Sequence, residues 1–185
     1  MNDILKIREA TLNDYQKVYQ WLYYGDHANL LNQLEGIADE NIPSFDDFKK
    51  NGYFEYFFNG SAPEKGRSYI ITLAGEDIGH ISTTSYHLLN GIAEFDIWLK
   101  NLNHTGKGYG TKAIQMLANK LFNENYHTIF MRPSIKNIAA IKSYKKAGFV
   151  KMPLELEKYY KPEYIEEYGS GDYGEGGDVL LVLNK

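Results

Sequence analysis

The sequence predicts one domain of the α/β or α+β class, in which a mixed, mostly antiparallel sheet of about six or seven strands carries helices on both faces. Three observations support this prediction. The chain has 185 residues, a length typical of a single domain, and no repeat or linker divides residues 1–185. Short β-rich runs alternate with runs of helical periodicity. The chain contains no cysteine, which excludes disulfide bonds, thiolate catalysis and cysteine-ligated metals.

Charge and composition narrow the function classes. The 20 Lys and Arg residues and 24 Asp and Glu residues give a net charge of −4, which argues against nucleic acid as a partner. No apolar run approaches the ~20 residues of a membrane span, and the N-terminus has no secretory signal. We therefore expect a cytoplasmic protein without membrane or nucleic-acid partners. The 16 tyrosines suit either a cleft for a cationic partner or a tyrosine-rich core.

The first part of the chain predicts a strand followed by helices. Residues 4–8 alternate in polarity like a short strand. Thr11 and Asp14 have the spacing of the cap and the third residue of a helix. The pattern is weaker over residues 26–66, where a helix near residues 29–34 is one expectation.

From residue 67 onward the pattern is sharper. Residues 68–73 and 78–86 are β-rich runs joined by residues 74–77, which predicts a hairpin. Residues 92–99 predict a third strand. The remaining predicted elements are a helix with apolar positions Ile114, Leu117, Ala118, Leu121 and Phe122, a strand at 128–131, a helix at 137–147 closed by Gly148, a strand from Phe149, and a last strand at 179–183.

The third strand and the next helix are separated by a glycine-rich stretch, Gly106-Lys107-Gly108-Tyr109-Gly110-Thr111. A helix N-terminus offers unpaired N–H groups and a partial positive charge, and glycines let a phosphate approach the backbone. The Gly-x-Gly-x-Gly spacing matches neither a P-loop nor a dinucleotide-binding fingerprint. The stretch therefore predicts either a pyrophosphate site of another kind or a glycine-rich turn without a ligand.

A second motif follows one strand later. Residues 137–149 follow the pattern N…A…Y…K-x-G-F. Together with the loop at residues 105–110, this motif resembles the GNAT superfamily of N-acetyltransferases, and the two motifs cover about residues 92–150. One departure is Thr105, which stands where the superfamily usually has Gln or Arg.

The resemblance implies that acetyl-CoA is the cofactor. It also implies that loop N–H groups bind the pyrophosphate, that Asn137 hydrogen-bonds the pantetheine arm and that the Tyr144 hydroxyl points at the thioester sulfur. We expect a backbone N–H of residues 97–99 to meet the oxyanion. The residues expected to contact the cofactor are Trp98, Leu99, Thr105, Gly106, Lys107, Gly108, Tyr109, Gly110, Thr111, Asn137, Ala140 and Tyr144.

Within the superfamily, the sequence looks most similar to the aminoglycoside 6′-N-acetyltransferases. Residues 95–99, 106–112 and 132–149 carry this resemblance, with a departure at Arg132, where those enzymes commonly have Asp. The resemblance implies acetyl transfer to a primary amine of a cationic small molecule, with an aminoglycoside as the expected acceptor, by a monomer or homodimer. The alternatives are another amine (a polyamine, an amino acid derivative or a protein N-terminus) and a catalytically silent CoA-binding sensor.

Acetyl transfer needs a neutral amine and a protonated leaving thiol, so a base and an acid are sought among the residues. Strand alternation puts Glu94, Asp96 and Trp98 on one face. The resemblance points to Asp96 as the base, directly or through one water, and Tyr144 is the candidate acid. The alternatives are a solvated or ion-paired Asp96 and a Tyr144 that only packs. The residues expected to contact the acceptor are Trp21, Tyr24, Glu94, Asp96 and Asp178.

The segment of residues 155–178, called the acidic segment below, combines eight carboxylates with five tyrosines. Grouped carboxylates focus a negative potential that attracts polycations. Folded over the acceptor cleft, this segment would form its mouth, with Asp178 as the leading candidate; the alternative is a solvated loop. The five histidines show no metal-ligand spacing, so no metal is expected.

Overall fold

The computed structural model describes residues 4–25, 42–51, 53–174 and 176–185. Within these ranges the strands are β1 (Leu5–Glu9), β2 (Gly66–Leu73), β3 (Glu76–Thr84), β4 (Ile92–Leu99), β5 (Thr128–Met131), β6 (Val150–Lys151) and β7 (Leu181–Asn184). The α-helices are α1 (Tyr15–Tyr24), α2 (Phe45–Asn51), α3 (Tyr56–Asn59), α4 (Tyr109–Phe122), α5 (Ile138–Ala147) and α6 (Ile165–Tyr168). The helix predicted near residues 29–34 lies outside the described residues.

These strands form one sheet in the order β1-β2-β3-β4-β5-β7-β6. Neighbouring strands are antiparallel except β4 and β5, which are parallel. The predicted mixed, mostly antiparallel sheet is confirmed. β4 and β5 share three register pairs, the last of which joins Glu94 to Phe130. Beyond that pair, residues Phe95–Leu99 are matched by β3 alone, so the sheet splits between β4 and β5.

One face of the sheet packs against the two longest helices of the second half of the chain. Tyr69, Ile81 and Phe95 point to this face, where they meet α4 and α5 in one apolar cluster. The α4 residues buried there include four of the apolar positions predicted from helical spacing: Ile114, Leu117, Ala118 and Leu121. The agreement follows because an i, i+3, i+4, i+7 stripe fits only one orientation against a sheet.

The opposite face is covered by aromatic residues. Trp98 and Ile70 point to this face and are covered by α1, α2 and α3. Within that cover the Tyr15 and Phe58 rings stack with centroids 4.2 Å apart. Nearer β5 and β7, the acidic segment takes over the cover, with Tyr160 packed against the same face. Helices therefore lie on both faces, as predicted.

Capping residues fix where two of the helices begin and end. The Asp14 carboxylate accepts the Thr11 backbone N–H at 2.9 Å, as the predicted capping box requires. Asn137 caps α5 through its Oδ1, which accepts the Ala140 N–H at 3.0 Å. Gly148 closes α5 at a φ of 110°, a left-handed conformation that favours glycine.

Several predicted boundaries differ from the structure, and two of the differences have a clear physical reason. β3 begins at Glu76, so the hairpin turn contains only Ala74 and Gly75, both at positive φ; two-residue turns of this kind match the twist of the strands. The strand predicted from Phe149 has only two residues, Val150–Lys151. Pro153, which has no N–H to donate to a ladder, follows almost at once.

Candidate active site

A cavity of about 820 Å³ lies where β4 and β5 separate. Its walls come from β4, from the residues after β5, from α1, α2 and α5, and from the acidic segment. A volume of this size is typical of a small-molecule site. The charged residues of the wall are Glu94, Asp96, Arg132, Lys136 and Asp172.

Asp96 opens onto this cavity from the middle of the unpaired edge of β4. Its Oδ2 accepts a hydrogen bond from the Tyr53 hydroxyl at 2.8 Å. Solvent reaches the carboxylate through the cavity, yet protein surrounds it closely, and this burial raises the pKa of Asp96 to about 6. The hydrogen bond from Tyr53 opposes the rise, and the charges of Asp172 and Glu94 add to it. A carboxylate of this kind is ionised at neutral pH and basic enough to accept a proton.

Tyr144 of α5 belongs to the same wall. Burial, and then the charge of Asp96, raises the pKa of Tyr144 well above its usual range. Its hydroxyl therefore stays protonated at neutral pH and can donate a hydrogen bond or a proton. Its ring also packs against the apolar cluster beneath α4 and α5, so the residue both packs and presents a donor.

Glu94 lies one pleat along β4 from Asp96, on the same face. Its Oε2 is 3.3 Å from Nε2 of His87, whose side chain is buried. The His87 ring in turn stacks on Tyr168 of the acidic segment, with centroids 4.6 Å apart. These contacts hold Glu94 in the cavity wall.

Arg132, the residue at which the sequence departs from the resembling enzymes, anchors the acidic segment. Its Nε donates to the Asp178 carboxylate in an ion pair whose side chains are almost fully buried. Its Nη1 donates to the Tyr160 hydroxyl at 3.0 Å and to the Tyr168 carbonyl at 2.8 Å. Its Nη2 donates to the Gly169 carbonyl at 2.9 Å. One guanidinium thus binds the acidic segment at four points, which uses four of its five N–H donors.

The anchored segment brings Asp172 into the cavity wall. Gly171 sits directly against the Arg132–Asp178 pair: a Cβ there would lie 2.6 Å from the guanidinium, and the φ of 67° also favours glycine. Burial, followed by the charge of Glu94, raises the pKa of Asp172. Because glycine lets the chain pack closely against the Arg132–Asp178 pair, Asp172 becomes a third carboxylate in the cavity wall, together with Glu94 and Asp96.

The loop before α4 has the features that a CoA pyrophosphate needs. Gly106 and Gly108 have φ values of 69° and 82°, and a Cβ at either position would meet open space. The first internal bond of the 14-residue α4 runs from the Lys112 N–H to the Gly108 carbonyl, at 3.0 Å. The N–H groups of the helical residues before Lys112 therefore have no carbonyl partner within the helix. These donors and the positive end of the helix dipole fit an anion.

The neighbouring side chains mostly brace this loop. Thr105 donates to the Leu102 carbonyl at 2.8 Å, and the Thr111 hydroxyl lies 2.9 Å from that of Ser143, which ties α4 to α5. Lys107 is exposed. Tyr109, the first residue of α4, packs against the core beneath that helix. Because Asn137 uses Oδ1 to cap α5, its amide NH₂ is the part left for a ligand.

The unpaired edge of β4 supplies backbone groups rather than side chains. The Trp98 indole is 3% exposed and lies against the His80 ring, with centroids 4.3 Å apart, and the Leu99 side chain belongs to the core under α4. Only the backbone of these two predicted cofactor residues is free to bind an extended ligand arm in the gap between β4 and β5. Such an arm would lie there like an added strand.

Three residues predicted to contact the acceptor lie outside the cavity wall as far as the described residues define it. Trp21 and Tyr24 are on α1, but Leu22 and Tyr23 are the α1 residues that reach the cavity, because neighbouring helical positions point in different directions. Asp178 is engaged by Arg132, and Asp172 of the same segment reaches the wall instead. Both α1 and the acidic segment reach the cavity wall, through positions other than the three predicted from the sequence.

Other wall residues carried no local signal. Tyr53 lies in the weakly patterned region before β2, and His87 belongs to a set of histidines whose spacing indicates no shared site. Their positions depend on packing between elements far apart in sequence. Two sequence features pointed to the anchored segment: its own acidic, tyrosine-rich composition and the departure at Arg132.

The split sheet, the glycine-rich loop at the start of α4, and a carboxylate and a tyrosine that share one cavity fit an acyltransferase that uses a CoA thioester. Comparison with known families agrees: residues 5–150 match the acetyltransferase (GNAT) domain family. The chain belongs to the GNAT family and is an acetyl-CoA-dependent N-acetyltransferase.

Individual relatives point the same way. The chain is 32% identical over 161 residues to aminoglycoside N(6′)-acetyltransferase type 1 from Klebsiella pneumoniae, covering 80% of this chain and 75% of the relative. The structure of AAC(6′)-Ib with paromomycin and acetyl-CoA has a TM-score of 0.71 at 25% identity, covering 99% of this chain and 94% of that one. Spermidine N-acetyltransferase from Vibrio cholerae shares the fold, with a TM-score of 0.66 at 19% identity over 97% and 95% of the two chains.

The described ranges lack two kinds of feature. None of their helices is long and apolar enough to cross a membrane. No group of three or more metal-ligating side chains is close enough there to hold an ion.

Proposed function

We propose that this enzyme acetylates a primary amine of an aminoglycoside, a polycationic amino sugar. The carrying observation is the set of three carboxylates, Glu94, Asp96 and Asp172, that share one cavity with Tyr144. Among the ion pairs of the described residues, none joins these three carboxylates to a lysine or an arginine. A cavity with this charge pattern favours an acceptor that brings several ammonium groups.

In this proposal Asp96 binds the reacting ammonium and accepts its proton, directly or through one water. Its pKa of about 6 suits both tasks, because the group is ionised at neutral pH but less acidic than an ordinary Asp. Glu94 and Asp172 then bind other ammonium or hydroxyl groups of the same acceptor. Their charge-assisted hydrogen bonds would orient the acceptor so that one amine reaches Asp96.

Tyr144 donates the proton of its hydroxyl to the departing thiolate of coenzyme A, which is thereby released as the thiol. The raised pKa of Tyr144 keeps that proton in place until it is needed. The thioester of acetyl-CoA supplies the activated acetyl group, and the chain holds the cofactor through the loop before α4 and the free edge of β4. An N–H on that edge near Ile97–Leu99 is suited to stabilise charge that develops on the acetyl oxygen.

The relatives support this choice of acceptor over other amines. The curated relative from K. pneumoniae is named as an aminoglycoside acetyltransferase, and a similar structure holds kanamycin beside coenzyme A. A polyamine would satisfy some of the same carboxylates and is therefore the comparison that the test must include.

The test is a thiol-release assay with acetyl-CoA and kanamycin-type aminoglycosides, spermidine and short peptides as acceptors. Because the chain has no cysteine, a thiol reagent reads only released coenzyme A. We expect release with the aminoglycosides at low micromolar KM and little with the other amines. Preferred turnover of spermidine or of a peptide N-terminus would overturn the acceptor, and silence with every amine would favour a CoA-binding sensor.

Variants test the assigned roles. Asp96→Asn should lower kcat by about 10²–10⁴-fold while coenzyme A affinity stays unchanged. Asp172→Asn should raise KM for the aminoglycoside more than it lowers kcat. Asp46→Asn removes an exposed carboxylate on α2 that pairs with Lys49 and is the matched control, for which we expect wild-type kinetics. Unchanged turnover in Asp96→Asn would remove Asp96 as the base.

A further inference from the structure

We propose that Tyr53 is a positioning residue for the reaction: its hydroxyl holds the Asp96 carboxylate in one orientation, so that one oxygen is fixed and the other is left for the acceptor amine. This inference rests on the proposed role of Asp96 as the base. It assigns a role to the segment between α2 and α3, a part of the chain whose sequence pattern gave no candidate residue.

The Tyr53 ring cannot easily turn away from Asp96. It stacks on Phe48 of α2 with centroids 5.3 Å apart and meets Trp98 edge-on at 5.8 Å. Its backbone is held as well: the Tyr53 N–H donates to the Phe48 carbonyl at 3.0 Å, and the Tyr53 carbonyl accepts the Tyr15 hydroxyl. A ring packed on two sides and anchored at its backbone fixes its hydroxyl without paying much rotamer entropy on substrate binding.

The hydroxyl lies between two partners. It is 2.8 Å from Oδ2 of Asp96 and 2.9 Å from Oγ of Ser82. Ser82 is fully buried on β3, directly opposite Asp96 in the β3–β4 register. An ionised carboxylate can only accept, so the Tyr53 proton goes to Asp96 and Ser82 donates to Tyr53. Ser82 therefore donates to Tyr53, and Tyr53 donates to Asp96. This chain of hydrogen bonds stabilises the ionised carboxylate of Asp96.

This chain opposes the groups around Asp96 that disfavour a charge on its carboxylate. Glu94 on the same strand and Asp172 from the acidic segment disfavour a charge on Asp96, as does burial, whereas Tyr53 and the Ile97 backbone N–H favour it. Tyr144 faces Asp96 from α5 as a neutral group. Removal of the Tyr53 hydroxyl should therefore raise the pKa of Asp96 and free its carboxylate to rotate.

The test measures the pH dependence of kcat/KM for wild type, Tyr53→Phe and Tyr69→Phe between about pH 5 and pH 9. We expect Tyr53→Phe to shift the acid limb upward by about one to two pH units, which lowers the rate about two- to tenfold at pH 7 and less at pH 9. Tyr69→Phe is the matched control, because its buried hydroxyl on β2 has no hydrogen-bond partner among the residues that the structure describes; we expect it to leave the acid limb in place.

A second readout does not depend on the acceptor. Carboxyl ¹³C NMR of aspartate-labelled protein, with Asp96 assigned from Asp96→Asn, gives the pKa of this group directly. Tyr53→Phe should raise that pKa, and Ser82→Ala should raise it by a smaller amount. An Asp96 pKa and an acid limb that are unchanged in folded Tyr53→Phe would overturn the inference. If Asp96→Asn keeps full activity, the base assignment fails instead, and the NMR titration still decides whether Tyr53 holds Asp96.

Discussion

The guanidinium of Arg132 and the carboxylate of Asp178 form an ion pair whose side chains are only 5% and 6% exposed. The pair joins the residue after β5 to the far end of the acidic segment, 46 positions later in the chain. Because the same guanidinium also binds Tyr160, Tyr168 and Gly169, it determines where that segment lies against the cavity. Arg132 thus has a structural role in placing the acidic segment against the cavity.

Arg132→Met should be strongly destabilising. The substitution leaves the Asp178 carboxylate buried without its partner, and breaking a buried pair in this way costs about 3–5 kcal/mol of unfolding free energy. Urea unfolding at neutral pH measures the loss. Lys158→Met breaks an exposed pair with Glu155 and should have no measurable effect. A loss in Arg132→Met no larger than in Lys158→Met would contradict the anchoring role.

Gly108→Ala should weaken coenzyme A binding. Gly108 has a φ of 82°, a conformation that costs a residue with a Cβ about 1–2 kcal/mol, so the loop should relax away from the arrangement that presents its N–H groups. Calorimetric titration with coenzyme A should give a Kd raised about 5- to 30-fold.

Gly60→Ala controls for backbone strain alone. Gly60 ends α3 at a φ of 67° and, like Gly108, would place its Cβ in open space. It should lose stability yet bind coenzyme A as tightly as wild type. Equal Kd values for the Gly60 and Gly108 variants would mean that the loop before α4 does not bind the pyrophosphate.

Asp96→Asn should stabilise the protein at neutral pH. The folded-state pKa of Asp96 is raised from 3.8 to about 6, so the folded state keeps this proton over a range where the unfolded state has lost it. Stability therefore falls as pH rises through that window, and the loss is complete above it. Asn cannot ionise and still accepts from Tyr53.

The melting temperature of Asp96→Asn should exceed that of wild type near pH 7.5 and approach it below about pH 4. Differential scanning calorimetry at both pH values measures this change. Asp46→Asn changes an exposed carboxylate whose pKa is lowered by Lys49 rather than raised by burial. This variant should show no such gain. A lower melting temperature for Asp96→Asn near pH 7.5 would contradict the assigned environment.

Asp14→Asn should show the opposite pH behaviour. Asp14 is 5% exposed and pairs with Arg8 at 2.8 Å and Lys17 at 2.7 Å, and the hydrogen bond from Arg8 lowers the pKa of Asp14 well below its usual range. Its stabilising effect is present above the unfolded-state pKa of 3.8 and is lost as pH falls below it.

We expect Asp14→Asn to lose about 3 kcal/mol at neutral pH and to approach wild type in acid. Urea unfolding at the two pH values provides the measurement. A constant difference between the proteins at both pH values would show that the charge of Asp14 is not what stabilises the start of α1.

Local sequence signals predicted the part of the fold from β4 to α5 well. The bounds of β4 and β5 agree with the predicted strands, and Asn137 and Gly148 flank α5 as expected. These elements are specified by nearby residues: strong β-formers, a side-chain cap and a glycine that adopts positive φ. The positive φ at Gly106 and Gly108 likewise agrees with the loop predicted from glycine spacing.

The proposed acceptor side of the cavity could not be predicted residue by residue, because the positions of residues such as Tyr53 and Asp172 depend on contacts between distant segments. Tyr53 reaches Asp96 across 43 positions of sequence, and no periodicity reports such a contact. Composition singles out the acidic segment, but Arg132 decides that Asp178 is buried in a pair and that Asp172 reaches the cavity. Which carboxylate of the acidic segment faces the cavity is therefore determined by the contacts with Arg132, not by the local composition of the segment.

The most direct test of the proposed function is mass spectrometry of kanamycin incubated with acetyl-CoA and either the wild-type enzyme or Asp96→Asn. We predict that the wild-type enzyme adds the mass of one acetyl group to kanamycin, and that Asp96→Asn, which still binds coenzyme A, adds almost none in the same time. Unmodified kanamycin after incubation with folded wild-type enzyme, or equal acetylation by both proteins, would contradict the account.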